Sequence, residues 1–386
     1  MTAVSTIALG EIMATKSGAV DPSMYPDEVF DLYSIPAFDR RQPEVVSGSS
    51  IGSAKQIVAP GDVLLSKIVP HIRRSWVVGG ERGRRIIASG EWIVFRSDRM
   101  HPHYLRQVLL GDPFHVQFMR TVSGVGGSLL RARPAHVAKI EIPFPPLAEQ
   151  RRIAKLLDRA EALRAKRRTA LAQLDTLTQA IFLDLFGDPA TNPKGWAKVV
   201  LGDVATFVGG GTPSRACPEY FTGSICWATS KDMKGEFLDD TEEHITEGAL
   251  KASATKLVPA GTLLVVVKSK VLAHHLPVAV VRVPTCFGQD LKGIIPGERC
   301  EVSFVGTALR LGKRWLLERA RGINTEGLTL DHLRAFPLPL PPLSLQHDFA
   351  RRVAAVETLK AAHRASLAEL DALFSSLQHR TFQGGL

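Results

Sequence analysis

The chain has 386 residues, 45% of them hydrophobic and 22% charged, with a net charge of +10 at pH 7. This length accommodates two or three domains with their own cores, and the composition is that of an ordinary globular protein. No apolar run reaches the roughly 18 residues of a membrane-spanning helix, and the opening MTAVSTIALGEIMATKSG lacks the charged and apolar regions of a signal peptide.

Residues 1–141 predict a mixed α/β globule. Strand-like runs cover 62–69, 75–78 and 92–95, and a helix is expected over 103–121. Asp21-Pro22, Gly79-Gly80 and Gly126-Gly127 mark turns. Ile142 to Pro146 then form a stiff, extended entry, because proline fixes its own φ and bars the preceding residue from a helix. Residues 147–186 hold neither proline nor glycine. A helix of that length spans about 60 Å. Its apolar residues recur at heptad spacing. Ile153, Ala160, Leu174 and Ile181 fill one seam position, and Leu156, Leu163, Ala170 and Leu177 the other.

Residues 187–196 (GDPATNPKGW) break that helix, and 197–337 predict a second α/β globule with strands at 224–228, 262–268 and 278–283. The chain then repeats itself. Ile142 falls on Leu338, an offset of 196, and alignment continues without a gap. Pro145, Pro146, Leu147 and Gln150 fall on Pro341, Pro342, Leu343 and Gln346. In the second helix Phe349, Val356, Leu370 and Leu377 repeat the first seam position, with Arg352, Leu359, Ser366 and Leu373 in the other. Arg167 and His363 are polar intrusions at one matching seam position. A fixed-offset repeat dictates architecture: globule (1–141), helix (142–187), globule (188–337), helix (338–386), with the helices pairing as a coiled coil. Fainter echoes predict one fold for both globules. Leu9-Gly10-Glu11-Ile12 resembles Leu201-Gly202-Asp203-Val204, Pro60-Gly61-Asp62 resembles Ala260-Gly261-Thr262, and Gly126 and His136 fall on Gly322 and His332.

Signatures of catalysis are missing. There is no G-x-x-x-x-G-K-[ST] loop, no complete G-x-G-x-x-G and no Asn-Pro-Pro-aromatic motif. Gly209-Gly210-Gly211-Thr212-Pro213-Ser214 does not suit a helix-opening phosphate cradle. Asp232-Met233-Lys234 and Asp290-Leu291-Lys292 lack the preceding carboxylate of a metal nuclease. The four cysteines, Cys217, Cys226, Cys286 and Cys300, contain no C-x-x-C pair, so they predict free thiols in a reducing cytoplasm and no metal site. The Lys and Arg surplus suits a polyanionic partner, nucleic acid being the commonest. Basic, amide and hydroxyl side chains cluster at Ser66-Lys67, His71–Trp76, Ser230-Lys231, Lys268-Ser269-Lys270 and Gln289. Arg and Lys neutralise phosphates and read guanine, while Gln pairs with adenine.

Taken together, these motifs resemble the specificity subunit of type I restriction–modification systems. The marks are Pro145–Gln150 opening a long helix, the 185–196 linker and the second Pro341–Gln346. Gly210–Ser214, Ile225-Cys226-Trp227 with Lys231-Asp232, Gln289–Lys292 and the Ser66–Arg74 run add to them. The resemblance implies two target recognition domains, each reading half of a split DNA sequence, and an antiparallel helical spacer that also docks methyltransferase subunits. It implies a non-catalytic chain with no cofactor of its own, because S-adenosylmethionine, ATP and Mg²⁺ belong to the methyltransferase and restriction partners. Carried over residue by residue, it points to Lys67, Arg73, Arg74, Lys231, Lys268 and Gln289 as DNA contacts. Lys268 departs from the pattern, standing where an arginine is often seen. Two rivals remain open on the residues alone: a coiled-coil assembly adaptor that reads no DNA, and a stand-alone DNA-modifying enzyme.

Overall fold

The computed structural model describes residues 5–14, 18–124, 130–320 and 327–382, with side chains up to 380. Gly126, Gly127 and Gly322 lie outside them. Contacts divide the chain into two compact units, 1–168 with 365–386, and 169–364. Each of the two long helices, Leu147–Phe186 and Leu343–Phe382, contributes to both units.

In the first unit a three-stranded antiparallel sheet has Val63–Ser66 between Ser75–Val77 and Trp92–Phe95. Side chains alternate along a strand. Val63 and Leu65 therefore enter one core with Tyr104, Leu105, Ile153 and Leu157, while Leu64 enters another with Tyr33 and Trp92. Beside it, Val29–Tyr33 pairs antiparallel with Glu44–Ser47 and parallel with Arg85–Ala88. The second unit repeats the plan. Leu263–Val266 lies between Val278–Val281 and Leu291–Pro296. Leu263 and Val265 face Phe182, Phe304 and Phe349, while Leu264 and Val266 face Ala279 and Phe287. Ile225–Ala228 pairs antiparallel with Glu243–Ile245 and parallel with Thr285–Phe287.

The echoes in the sequence occupy matching places. Leu9–Glu11 and Leu201–Asp203 are both single 3₁₀ turns, and Gly61 and Gly261 both take a left-handed φ, +85° and +87°. An antiparallel clasp closes each globule, Thr6–Ala8 on Glu141–Pro143 and Ala197–Val200 on Pro337–Leu340. Just beyond each clasp, a buried glutamine ties the start of the long helix to its globule. Gln150 Oε1 accepts from the His101 amide at 2.7 Å, and its Nε2 donates to the carbonyls of Arg99 at 3.2 Å and Pro145 at 2.9 Å. Gln346 does the same with the Glu301 amide at 2.8 Å and the carbonyls of Arg299 at 3.2 Å and Pro341 at 2.9 Å. The repeated glutamine is thus explained by a repeated joint.

Two expectations are corrected. The helix over 103–121 is two helices, Pro102–Leu110 and Asp112–Met119, broken where Gly111 takes an extended conformation ahead of Pro113. The second seam position lies one residue later than the heptad reading placed it. In the first unit Leu157 is buried while Leu156 and Leu163 are exposed, and Arg164 holds the seam by pairing with Asp371 and lying over the Phe374 ring at 4.3 Å. In the second unit Val353 and Lys360 are buried while Leu177 and Leu359 are exposed; in the first, Leu373 is exposed too. Lys360 Nζ sits 3.1 Å from Asp175 and 3.0 Å from Glu357. Steps of three and four residues both satisfy a heptad, and polar Arg164 and Lys360 disguised the true stripe. Within each unit the two helix segments run antiparallel, so the coiled-coil pairing holds with its second seam position moved.

The first long helix ends at Phe186. Gly187 follows at φ +78°, where a Cβ would stand 2.6 Å from Pro193, and the Trp196 indole donates to the Phe186 carbonyl at 3.0 Å. Glycine at this left-handed position is the usual helix stop. Among the described residues, no helix is long and apolar enough to cross a membrane.

Candidate nucleic-acid interface

In the second unit, parallel pairing sets Ala228 beside Phe287, so the loops that follow both strands leave from the same edge. The Gly288 amide donates to the Ala228 carbonyl at 2.9 Å, joining those two loops. The Val267 amide donates to the Asp290 carbonyl at 2.8 Å, which adds the exit of the Leu263–Val266 strand. Lys231, Gln289 and Lys268 therefore stand on three adjoining loops, and all three are exposed.

The glycine-rich stretch underlies this edge. A Cβ on Gly210 would lie 2.2 Å from the Gly288 carbonyl oxygen, and one on Gly211 would lie 2.4 Å from the Thr255 nitrogen. The Gly211 amide donates to the Phe287 carbonyl at 2.9 Å, and the buried Trp227 indole donates to the Gly211 carbonyl at 3.1 Å. These glycines serve close backbone approach. Asp232 organises the loop of Lys231. Its carboxylate accepts from the Thr229 amide and hydroxyl, both at 2.8 Å, and from the Glu242 amide at 2.9 Å. A carboxylate so engaged explains the first D-x-K triplet as a turn.

In the first unit the loop after Val63–Ser66 occupies the corresponding place, but its basic residues are tied down. Arg73 reaches Asp112 at 2.6 Å and the Leu110 carbonyl at 3.0 Å. Arg74 forms a two-pronged pair with Asp39 at 3.1 and 3.2 Å, and its side chain is only 10% exposed. Lys67 stands 4.0 Å from Glu91, half-buried. The structure thus gathers the three candidates of the second globule at one exposed edge, and gives Arg73 and Arg74 of the first globule anchoring contacts.

The cysteines are free thiols. Cys286 and Cys300 are buried, and burial pushes each thiol up to about 11. One cluster escaped the sequence reading. Cys226, Asp240 and His244 bring Sγ, a carboxylate oxygen and a ring nitrogen within 4.8 Å of one another. Their spacing matches no familiar ligand motif, and only strand pairing brings them together.

Residues 193–372 match the family described as type I restriction modification DNA specificity domain. The chain is 31% identical over 229 residues to the type I restriction enzyme EcoR124I/EcoR124II specificity subunit of Escherichia coli, a match covering 57% of this chain and 56% of that protein. It is 32% identical over 107 residues to the type I restriction enzyme MjaIX specificity subunit of Methanocaldococcus jannaschii, covering 27% of this chain and 24% of that one. The matches thus span little more than half the length of these curated relatives at most. The fold is shared more widely. The type I restriction-modification system S subunit from M. genitalium superposes with a TM-score of 0.63 at 12% identity, over 98% of this chain and 96% of that one. A chain from a structure described as the basis of complex assembly and conformational transition of the type I R-M system gives 0.59 at 21%, over 100% and 99%. Residues 193–372 are thus similar to a type I restriction modification DNA specificity domain, and the chain as a whole shares its fold with these two solved chains.

Proposed function

We propose that this chain is the DNA-reading subunit of a type I restriction–modification complex, and that it performs no catalysis itself. Each globule, 1–141 and 188–337, reads one half of a bipartite asymmetric target, and the helical stretches 142–187 and 338–386 space the readers. The observation that carries this reading is the convergence of Lys231, Lys268 and Gln289 on three adjoining exposed loops. Two cations and an amide on one edge suit phosphates and an adenine. Lys67, Arg73 and Arg74 occupy the matching loop of the first globule, the two arginines reaching DNA only by exchanging their carboxylate partners for phosphates.

Docking rests on a second observation. The leucines left off the seam recur at the repeat offset, Leu163 with Leu359 and Leu177 with Leu373, all exposed. Matched apolar positions suit two copies of one partner, here two methyltransferase subunits, with restriction subunits joining them in the cytoplasm. S-adenosylmethionine, ATP and Mg²⁺ act on those partners.

The test is co-expression with a cognate methyltransferase subunit, followed by mapping of methylated adenines in host DNA. A bipartite motif whose one half changes when residues 1–141 are exchanged for another globule supports the reading. A stable complex that leaves the DNA unmodified refutes it.

A further inference from the structure

We propose that Cys226, Asp240 and His244 form a binding site for a divalent transition-metal ion, zinc by preference, on the second globule. Cys226 and His244 are direct partners in the antiparallel ladder between Ile225–Ala228 and Glu243–Ile245. Partners across such a ladder project from the same face. Asp240 comes from the turn entering the second of these strands, and this turn is firmly held. The Asp240 carboxylate accepts from the Thr241 amide at 2.9 Å. The Thr241 hydroxyl in turn accepts from the Trp227 amide at 3.0 Å and donates to the Glu243 carbonyl at 2.7 Å.

The spacing fits a tetrahedral ion. Zinc bonds of about 2.0–2.3 Å place neighbouring donors about 3.3–3.8 Å apart. Cys226 Sγ lies 3.6 Å from Asp240 Oδ1, and His244 Nε2 lies 2.7 Å from the same oxygen as a hydrogen-bond partner. An ion replaces that hydrogen bond by widening the second gap by about 0.5 Å. A thiolate with an imidazole selects zinc or cobalt over magnesium and calcium. Binding releases one proton, from the Cys226 thiol to solvent. Three protein ligands leave a fourth position, and the exposure of Asp240 opens it to water.

The test uses the full chain, free of affinity tags, stripped by a chelator and titrated with cobalt. The expected result is one equivalent bound with thiolate-to-cobalt charge-transfer absorption, displaced by zinc. Cys226→Ser removes that absorption and Cys217→Ser leaves it. Asp240→Asn and His244→Gln weaken cobalt binding beyond the roughly 100-fold loss seen when only an outer partner of a ligand is removed. Should Cys226→Ser misfold, the exposed Asp240→Asn decides on its own. Absence of the charge-transfer absorption at one equivalent, or its survival in Cys226→Ser or unweakened in Asp240→Asn, overturns the assignment. None of these readouts involves DNA.

Discussion

Gln346→Ala tests the joint between globule and helix. The side chain is fully buried, and its loss strands one amide, on Glu301, and two carbonyls, on Arg299 and Pro341. Each such hydrogen bond contributes about 1 kcal/mol net, so three give roughly 3 kcal/mol, and the lost Cγ methylene adds about 1 kcal/mol more. Gln346→Met separates the terms, because it keeps the volume and should recover about 1 kcal/mol. The assay is urea unfolding of the full chain followed by tryptophan fluorescence, with Trp196, Trp227 and Trp315 reporting on the second unit. Gln150→Ala is the internal control. Its three bonds, from the His101 amide and to the Arg99 and Pro145 carbonyls, match those of Gln346 in length, so its cost should agree within about 1 kcal/mol. A loss under about 1 kcal/mol for both variants would refute the claim that the repeated glutamine is a structural joint.

Gly210→Ala forces a Cβ to 2.2 Å from the Gly288 carbonyl, whereas Gly209→Ala meets nothing within 4 Å. Thermal unfolding should show the first at or above the upper end of about 1–3 kcal/mol of overpacking and the second near neutral; equal effects would remove the close-approach argument. Glu161 is pushed up by burial, but its hydrogen bonds from Arg106 and Gln107 prevail and hold it below its ordinary 4.5. A depressed carboxylate stabilises the fold above its unfolded value and loses that contribution as pH falls through its folded value. The Tm gap between the native chain and Glu161→Gln should therefore narrow as pH drops below 4.5, and a constant gap would contradict it. For DNA binding, Lys231→Ala and Lys268→Ala should each reduce the salt slope by about 1. Gln289→Ala should cost about 1–3 kcal/mol of base discrimination at an unchanged slope. Arg74→Ala, by contrast, should lower stability first, because it removes a side chain that is only 10% exposed and is held by Asp39. Slopes that do not move with either lysine would detach this edge from DNA.

Much of the plan was legible in the residues. The 196-residue offset, the proline entries and the uninterrupted 40-residue helices announce two globules and two long helices, since repeats and helix breakers act locally and leave local marks. Apolar runs located the central strands to within a few residues for the same reason. What periodicity could not choose was the seam: Leu156 and Leu157 serve a heptad equally, and only packing against the globule buries the second. Nor could it show that Asp39 claims Arg74, that Gly210 exists to admit the Gly288 carbonyl, or that Cys226 meets His244. Those contacts join residues far apart in the chain or on different strands. Composition and spacing along the chain therefore determined the architecture and the family resemblance. Which side chains are free, buried or gathered into a site was decided by strand pairing and core packing, because a side chain's neighbours are set by where the sheets and helices place it.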